Sequence, residues 1–208
     1  MHGNVNLSET LVVIPGFNDK GSHDFARSFR DARGAAKAFV LEGCPSNRGG
    51  DQPDAIVDDL DRFLEETLPG IDLTVAGDSY GSLLALRLAC RRGMRRVGHL
   101  VLIDGPLNPE VAVEPPPDNH FYDAFRVQYA ERRRIATECL RAIGDMPEEI
   151  RSRIVTVGST IDTVVPPAAK TIPGIRHHAL APEISGHSLS PDKIRAITDF
   201  LVSEVFNL

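Results

Sequence analysis

The chain has 208 residues, 42% of them apolar and 25% charged, which is enough to enclose a full core and points to one domain over 1–208. A formal charge of -6 and a pI near 5.6 weigh against a general nucleic-acid binder or a polybasic membrane surface and leave small-molecule or acyl partners as the expectation. No apolar run reaches membrane-spanning length.

Residues 1–10 are polar, with neither a charged leader nor an apolar stretch behind it, so no secretory signal is expected. From residue 10 onward, short apolar runs alternate with helical patterns, the signature of strand-helix units around a parallel sheet buried on both faces. The first strand is expected at 11–14, closed by Pro15-Gly16, and a helix at 24–33 with Phe25 and Phe29 on one face. A second strand follows at 38–41. The helix at 53–68 opens with proline and carries Ile56, Val57, Leu60, Phe63 and Leu64 as an apolar stripe. Its Asp58, Asp59 and Asp61 read as a wet face and lack the ligand pattern of a calcium loop, so no metal is expected. The arginine groups at 91–96 and 132–134 read in the same way, as solvated charge.

The third strand, 71–76, runs into Gly77-Asp78-Ser79-Tyr80-Gly81 and then a helical stretch at 82–90. This pentapeptide reads as a nucleophile elbow: a sharp strand-to-helix turn that lifts the Ser79 hydroxyl above the sheet and demands small residues two positions to either side. The first amides of the following helix then converge where an oxyanion would sit. A fourth strand, 99–103, ends at Asp104-Gly105-Pro106, after which the rhythm breaks. Residues 107–150 contain no strand-like run; Pro115, Pro116 and Pro117 precede a helical pattern over 119–143. That segment is expected to be a small helical cap whose Phe121, Phe125 and Tyr129 line a substrate pocket, with packing of the helix on the sheet as the alternative. A fifth strand at 154–157, a helical turn near Ala168, a sixth strand near 178–180 and a terminal helix at 191–205, capped by Ser190, complete the chain.

Catalytic groups in open parallel sheets gather beyond the carboxyl ends of the strands. Ser79 follows the third strand, Asp162 the fifth and His187 the sixth. A serine hydroxyl needs a base within hydrogen-bond reach and a carboxylate to orient that base, and these three residues supply the set. Asp104, past the fourth strand, is the rival acid, although its Asp-Gly-Pro turn suffices to explain it. Of the other histidines, His23 reads as a helix-start surface residue, and His177 and His178 as neighbours of the sixth strand. The three cysteines, Cys44, Cys90 and Cys139, lack metal-ligand or redox spacing and fit a reducing cytoplasm.

The order Ser, Asp, His and the motifs around them resemble the α/β-hydrolase family over about residues 11–205. Ile14-Pro15-Gly16-Phe17 resembles the loop whose residue after the glycine donates an amide to the oxyanion, and Tyr80, after the nucleophile, matches the second donor. Residues 157–166, from Val157 to Pro166, resemble the acid-bearing loop and Gly186-His187-Ser188 the histidine loop. The resemblance implies about six parallel strands flanked by helices, a small helical cap and no cofactor. It implies a serine hydrolase acting on an ester or thioester through Ser79, His187 and Asp162, with Phe17 and Tyr80 as oxyanion donors. Two features depart from the family: no antiparallel pair is expected before the first strand, and Ser188 replaces the aromatic residue common in polyketide thioesterases. A tailoring enzyme using the same acyl machinery for cyclisation, transfer or carbon-carbon cleavage remains open, as does a non-catalytic ligand-binding module. Ser79 rules out the aspartate-nucleophile chemistry of epoxide hydrolases and haloalkane dehalogenases.

Overall fold

The computed structural model describes residues 10–16, 21–32, 37–41, 52–113, 122–184 and 186–205, with backbone alone for 122–130. The elements run β1 (Thr10–Ile14), α1 (Ser22–Ala32), β2 (Ala38–Val40), α2 (Pro53–Thr67), β3 (Leu73–Asp78), α3 (Tyr80–Arg92) and β4 (Val97–Ile103). There follow α4 (Tyr122–Gly144), the short α5 (Glu148–Arg151), β5 (Ile154–Ser159), β6 (Arg176–Leu180) and α6 (Pro191–Phe200). The six strands are all parallel and lie in the order β2-β1-β3-β4-β5-β6.

Each central strand is buried on both faces, and its alternation sorts two cores. Val12, Ile14, Val75, Leu100, Leu102 and Ile154 point to the side packed by α2, α3 and the second half of α4. Leu11, Val13, Ala76, Val101, Ile103, Val155 and Val157 point to the side packed by α1 and α6, where Phe25, Phe29, Ile194 and Ile197 close over them. Phe25 and Phe29 are almost completely buried, worth about 2–3 kcal/mol each.

The acidic face of α2 is not simply wet. Asp54 meets Arg87 at 2.9 Å, Arg91 at 2.8 Å and Arg134 at 2.8 Å; Asp58 pairs with Arg91, Asp61 with Arg92, and Glu65 with Arg92 at 3.0 Å and Arg96 at 2.9 Å. The carboxylates of α2 therefore tie it to α3, the loop after it and α4 through Arg87, Arg91, Arg92, Arg96 and Arg134. Burial pushes the Asp54 carboxyl up, but Arg87 and Arg134 outweigh it and hold the group down at about 2.

The 107–150 segment divides. In its second half, Ile135, Ala136, Cys139 and Ile143 are buried in the same core as α3, so this part of α4 is the crossover helix between β4 and β5 rather than a cap. Arg132, itself buried, ties the start of the segment down: its guanidinium donates to the carbonyls of Pro106 (3.3 Å), Asn108 (2.9 Å) and Val111 (2.7 Å). Of the remainder of the expected cap, 114–121 lie outside the described residues and α4 from 122 to 130 is described as backbone alone. Two short elements had no expectation behind them, α5 and the 3-10 turn Pro182–Ile184.

Candidate active site

β3 runs two residues further than its apolar stretch, through Gly77 and Asp78, so Ser79 sits at the junction with α3. Its backbone is at φ 53, ψ -123, a conformation that costs a non-glycine residue on the order of 1–3 kcal/mol and must be held by its surroundings. Those surroundings are close backbone contacts. A Cβ on Gly81 would lie 2.1 Å from the Ile14 carbonyl oxygen, and one on Gly77 would lie 2.5 Å from that of Gly81, so both positions of the elbow require glycine for space. Ser82, inside the first turn of α3, shares its single hydroxyl proton between the carbonyls of Gly77 (2.7 Å) and Ile103 (2.9 Å) and fixes the elbow to β4.

The Ser79 hydroxyl lies 2.7 Å from His187 Nε2, and His187 Nδ1 lies 2.9 Å from Asp162 Oδ2. An ionised carboxylate only accepts, so Nδ1 carries the ring proton and Nε2 is left to accept from Ser79. Asp162 is kept ionised: burial raises its pKa, but hydrogen bonds from His187, Lys170 and the Val164 amide hold it well below the usual carboxylate range. Its Oδ1 accepts from the amides of Val164 (2.8 Å) and Val165 (3.1 Å), which is what the Val-Pro stretch after the aspartate supplies. The Gly186 amide donates to the Ile161 carbonyl (2.9 Å) and joins the histidine loop to the aspartate loop. Three residues separated by up to 108 positions in sequence are thus brought into one hydrogen-bonded series.

Asp104 is elsewhere occupied. It is fully buried at the end of β4, with φ 47, and accepts from the Ser159 amide (2.8 Å) and hydroxyl (3.3 Å), from Lys170 Nζ (2.5 Å) and from Lys193 Nζ. The rival acid therefore faces ammonium groups rather than an imidazole.

The two oxyanion donors stand differently. Tyr80 opens α3, with its side chain fully buried in the core and its amide at the helix N-terminus beside Ser79. Phe17 lies outside the described residues, but its neighbour Gly16 approaches the nucleophile so closely that a Cβ there would be 2.8 Å from Ser79 Cβ. Phe121 is likewise outside the described residues; Phe125 and Tyr129 are placed on α4 by backbone alone.

Sequence reasoning missed three buried charged residues around this series: Asp78, Lys170 and Lys193. Asp78 precedes the nucleophile; burial, aided by Asp104 and Asp162 against His187 and Lys193, pushes its carboxyl up to about 7, and its Oδ1 has no hydrogen-bond partner among the described residues. Lys193 had a visible signal, because it falls four residues before Ile197 on the apolar face of α6. Lys170 had none beyond its distance of eight residues from Asp162. His177 and His178 lie in β6, the first 2.8 Å from the Thr156 hydroxyl and the second stacked on Phe200. Among the described residues, no group of three or more His, Cys, Asp or Glu side chains is arranged to hold a metal ion, and no helix is long and apolar enough to cross a membrane.

No protein-family model and no curated protein sequence matches this chain. Solved structures do. The esterase domain of a Rhodothermus marinus protein superposes with a TM-score of 0.63 at 17% identity, covering 96% of this chain and 88% of that one. A structure described with the metagenome-derived lipolytic enzymes LipS and LipT gives 0.65 at 18% identity, over 97% and 96% of the two chains. The thioesterase domain from the curacin biosynthetic pathway gives 0.57 at 14%, over 94% and 92%. With six parallel strands flanked by helices, this chain has the fold they share, the α/β-hydrolase fold.

Proposed function

We propose that this α/β-hydrolase-fold protein is a cofactor-free serine hydrolase that cleaves an ester or thioester through an acyl-enzyme. The observation that carries the reading is the Ser79–His187–Asp162 series, with Oγ to Nε2 at 2.7 Å and Nδ1 to Oδ2 at 2.9 Å. Ser79 Oγ attacks the carbonyl carbon while His187 Nε2 takes its proton. Asp162 holds the ring in the required tautomer and balances the imidazolium as it forms. The carbonyl oxygen, now anionic, is met by the Tyr80 amide, with Phe17 as the second donor that the family resemblance implies; losing one such donor costs on the order of 100-fold or more in turnover. Collapse expels the alkoxide or thiolate, which receives the proton from His187. Water then repeats the sequence on the acyl-serine and frees the acid.

An activated serine attacks the carbonyl of esters and thioesters, and lipolytic, esterase and thioesterase proteins among the structural neighbours support the same classes. The test is covalent labelling. A fluorophosphonate should add one phosphonyl mass to the protein, located at Ser79, and Ser79→Ala should abolish it together with hydrolysis of p-nitrophenyl and acyl-thioester substrates. Labelling that persists in that variant would place the nucleophile elsewhere, and a wild-type protein that is never labelled would support a binding module.

A further inference from the structure

Beneath the proposed triad lies a buried ionic cluster that the hydrolytic steps do not themselves require. Lys170 closes the 3-10 turn Pro167–Lys170 and is only 1% exposed, yet its ammonium has an acceptor for each of its three protons: Asp162 Oδ2 at 2.6 Å, Asp104 Oδ1 at 2.5 Å and the Ser159 carbonyl at 3.1 Å. Asp162 is equally filled. Its Oδ1 takes two backbone amides, and its Oδ2 takes both the His187 ring N–H and the Lys170 ammonium, so the four acceptor directions of the carboxylate are all used. Lys193, from α6, closes the cluster by donating to Asp104, to the Gly186 carbonyl (2.7 Å) and to that of His187 (3.3 Å).

We propose that Lys170 is a positioning residue of the site: it locks the Asp162 carboxylate in place, bridges it to Asp104, and sets the proton affinity of the His187 base. This rests on the serine-hydrolase reading of the same site. The electrostatic part follows from a charge count. Asp104 and Asp162 contribute two negative charges and Lys170 and Lys193 two positive ones, all fully or almost fully buried. The imidazole therefore faces a balanced cluster instead of a lone carboxylate. Because Lys170 Nζ and His187 Nδ1 bind the same oxygen, at 2.6 and 2.9 Å, the ammonium lies close to the ring and opposes its protonation. The other ionisable groups facing this cluster are Asp78, from the end of β3, and His177, whose ring shares with Lys170 the space above Gly158. Both remain in place when Lys170 alone is changed.

The experiment compares wild-type protein with Lys170→Met, Asp104→Asn and the double variant. It reads the acidic limb of the kcat/KM profile on a neutral p-nitrophenyl ester and, independently of any substrate, the NMR titration of the His187 ring. Removing the ammonium leaves a net negative cluster, so Lys170→Met should move both midpoints up by about one pH unit or more. Asp104→Asn should move them down, and the double variant, balanced again, should return close to wild type. A protein merely weakened by loss of packing would show a lower melting temperature with unshifted midpoints, and that result overturns the proposal. Should Lys170→Met fail to fold, Asp104→Asn alone decides it: an unshifted or upward midpoint refutes the charge balance. The two readings fail separately. If the ring titration shifts as stated while no ester or thioester is turned over and no probe binds, the hydrolase is wrong and the Lys170 assignment stands.

Discussion

Replacing Asp78 by asparagine should stabilise the protein in alkaline solution and leave its stability nearly unchanged in acid. The carboxyl is buried next to the nucleophile, one of its oxygens is without a partner among the described residues, and burial lifts it from 3.8 to about 7. A group whose proton is held more tightly in the folded state than in the unfolded one favours folding at low pH and opposes it once ionised. The wild-type protein should therefore lose stability from about pH 4, where the unfolded chain begins to release this proton, to about pH 7, where the folded protein does. The gap between 3.8 and about 7, at about 1.4 kcal/mol per tenfold change in proton affinity, amounts to about 4 kcal/mol at full ionisation. Asparagine has nearly the same shape and no charge, so the penalty disappears. Urea unfolding of both proteins between pH 4 and pH 8.5 isolates the effect, because every other titrating group is common to the pair and cancels in the difference. That difference should be close to zero at pH 4 and rise to several kcal/mol at pH 8.5, with the variant the more stable. A difference that is flat with pH, or a variant less stable than wild type at pH 8.5, would mean that the Asp78 carboxylate is solvated or paired in solution.

The two aspartates should separate in function. Asp162→Asn should lower kcat by about three to four orders of magnitude, since an amide in place of the carboxylate sets the wrong imidazole tautomer, while the Asp104→Asn variant, examined on the same ester, should retain most of its turnover and lose mainly stability. A severe loss with Asp104→Asn and a mild one with Asp162→Asn would exchange the two roles. On α4, Phe125→Ala and Tyr129→Ala should raise KM for long-chain esters more than for acetate esters and leave fluorophosphonate labelling of Ser79 intact; an unchanged chain-length preference would make this stretch of helix a packing element.

What the sequence made legible follows the range of the interactions involved. The six strands and their helices were readable because each depends on its own apolar periodicity, and β3 ran past its apolar stretch only because the elbow itself, Gly77 and Asp78, still pairs with Leu102 and Ile103. Ser79, Asp162 and His187 were readable because their positions past the strand ends follow from the order of the elements. The division of the 107–150 segment was not readable: Ile135, Ala136, Cys139 and Ile143 have the same helical spacing whether they face a sheet or cover a pocket, and only the partner surface decides between the two.

The charges under the site were hidden for a different reason. A lone lysine or aspartate in a sequence is ordinarily a solvated residue, because burying it unpaired costs several kcal/mol, and the pairing that removes this cost is mostly non-local. Asp104 and Lys170 are 66 positions apart and Asp104 and Lys193 are 89 apart, so no short window of sequence contains either of these pairings; only that of Lys170 with Asp162, eight positions apart, is local. The same fact explains why Asp104 looked like a rival acid. It has the position of one, at the end of the strand next to the elbow, and its carboxyl is buried as an acid's would be. Its occupation by two ammonium groups and the Ser159 amide, with Asp162 alone reaching the imidazole, is a property of the assembled sheet ends. Had both lysines been apolar, Asp104 would have stood as an uncompensated buried charge, for which a partner such as the histidine ring would have been one relief. The contacts divide accordingly: Asp162 receives the His187 ring, while Lys170 and Lys193 occupy Asp104.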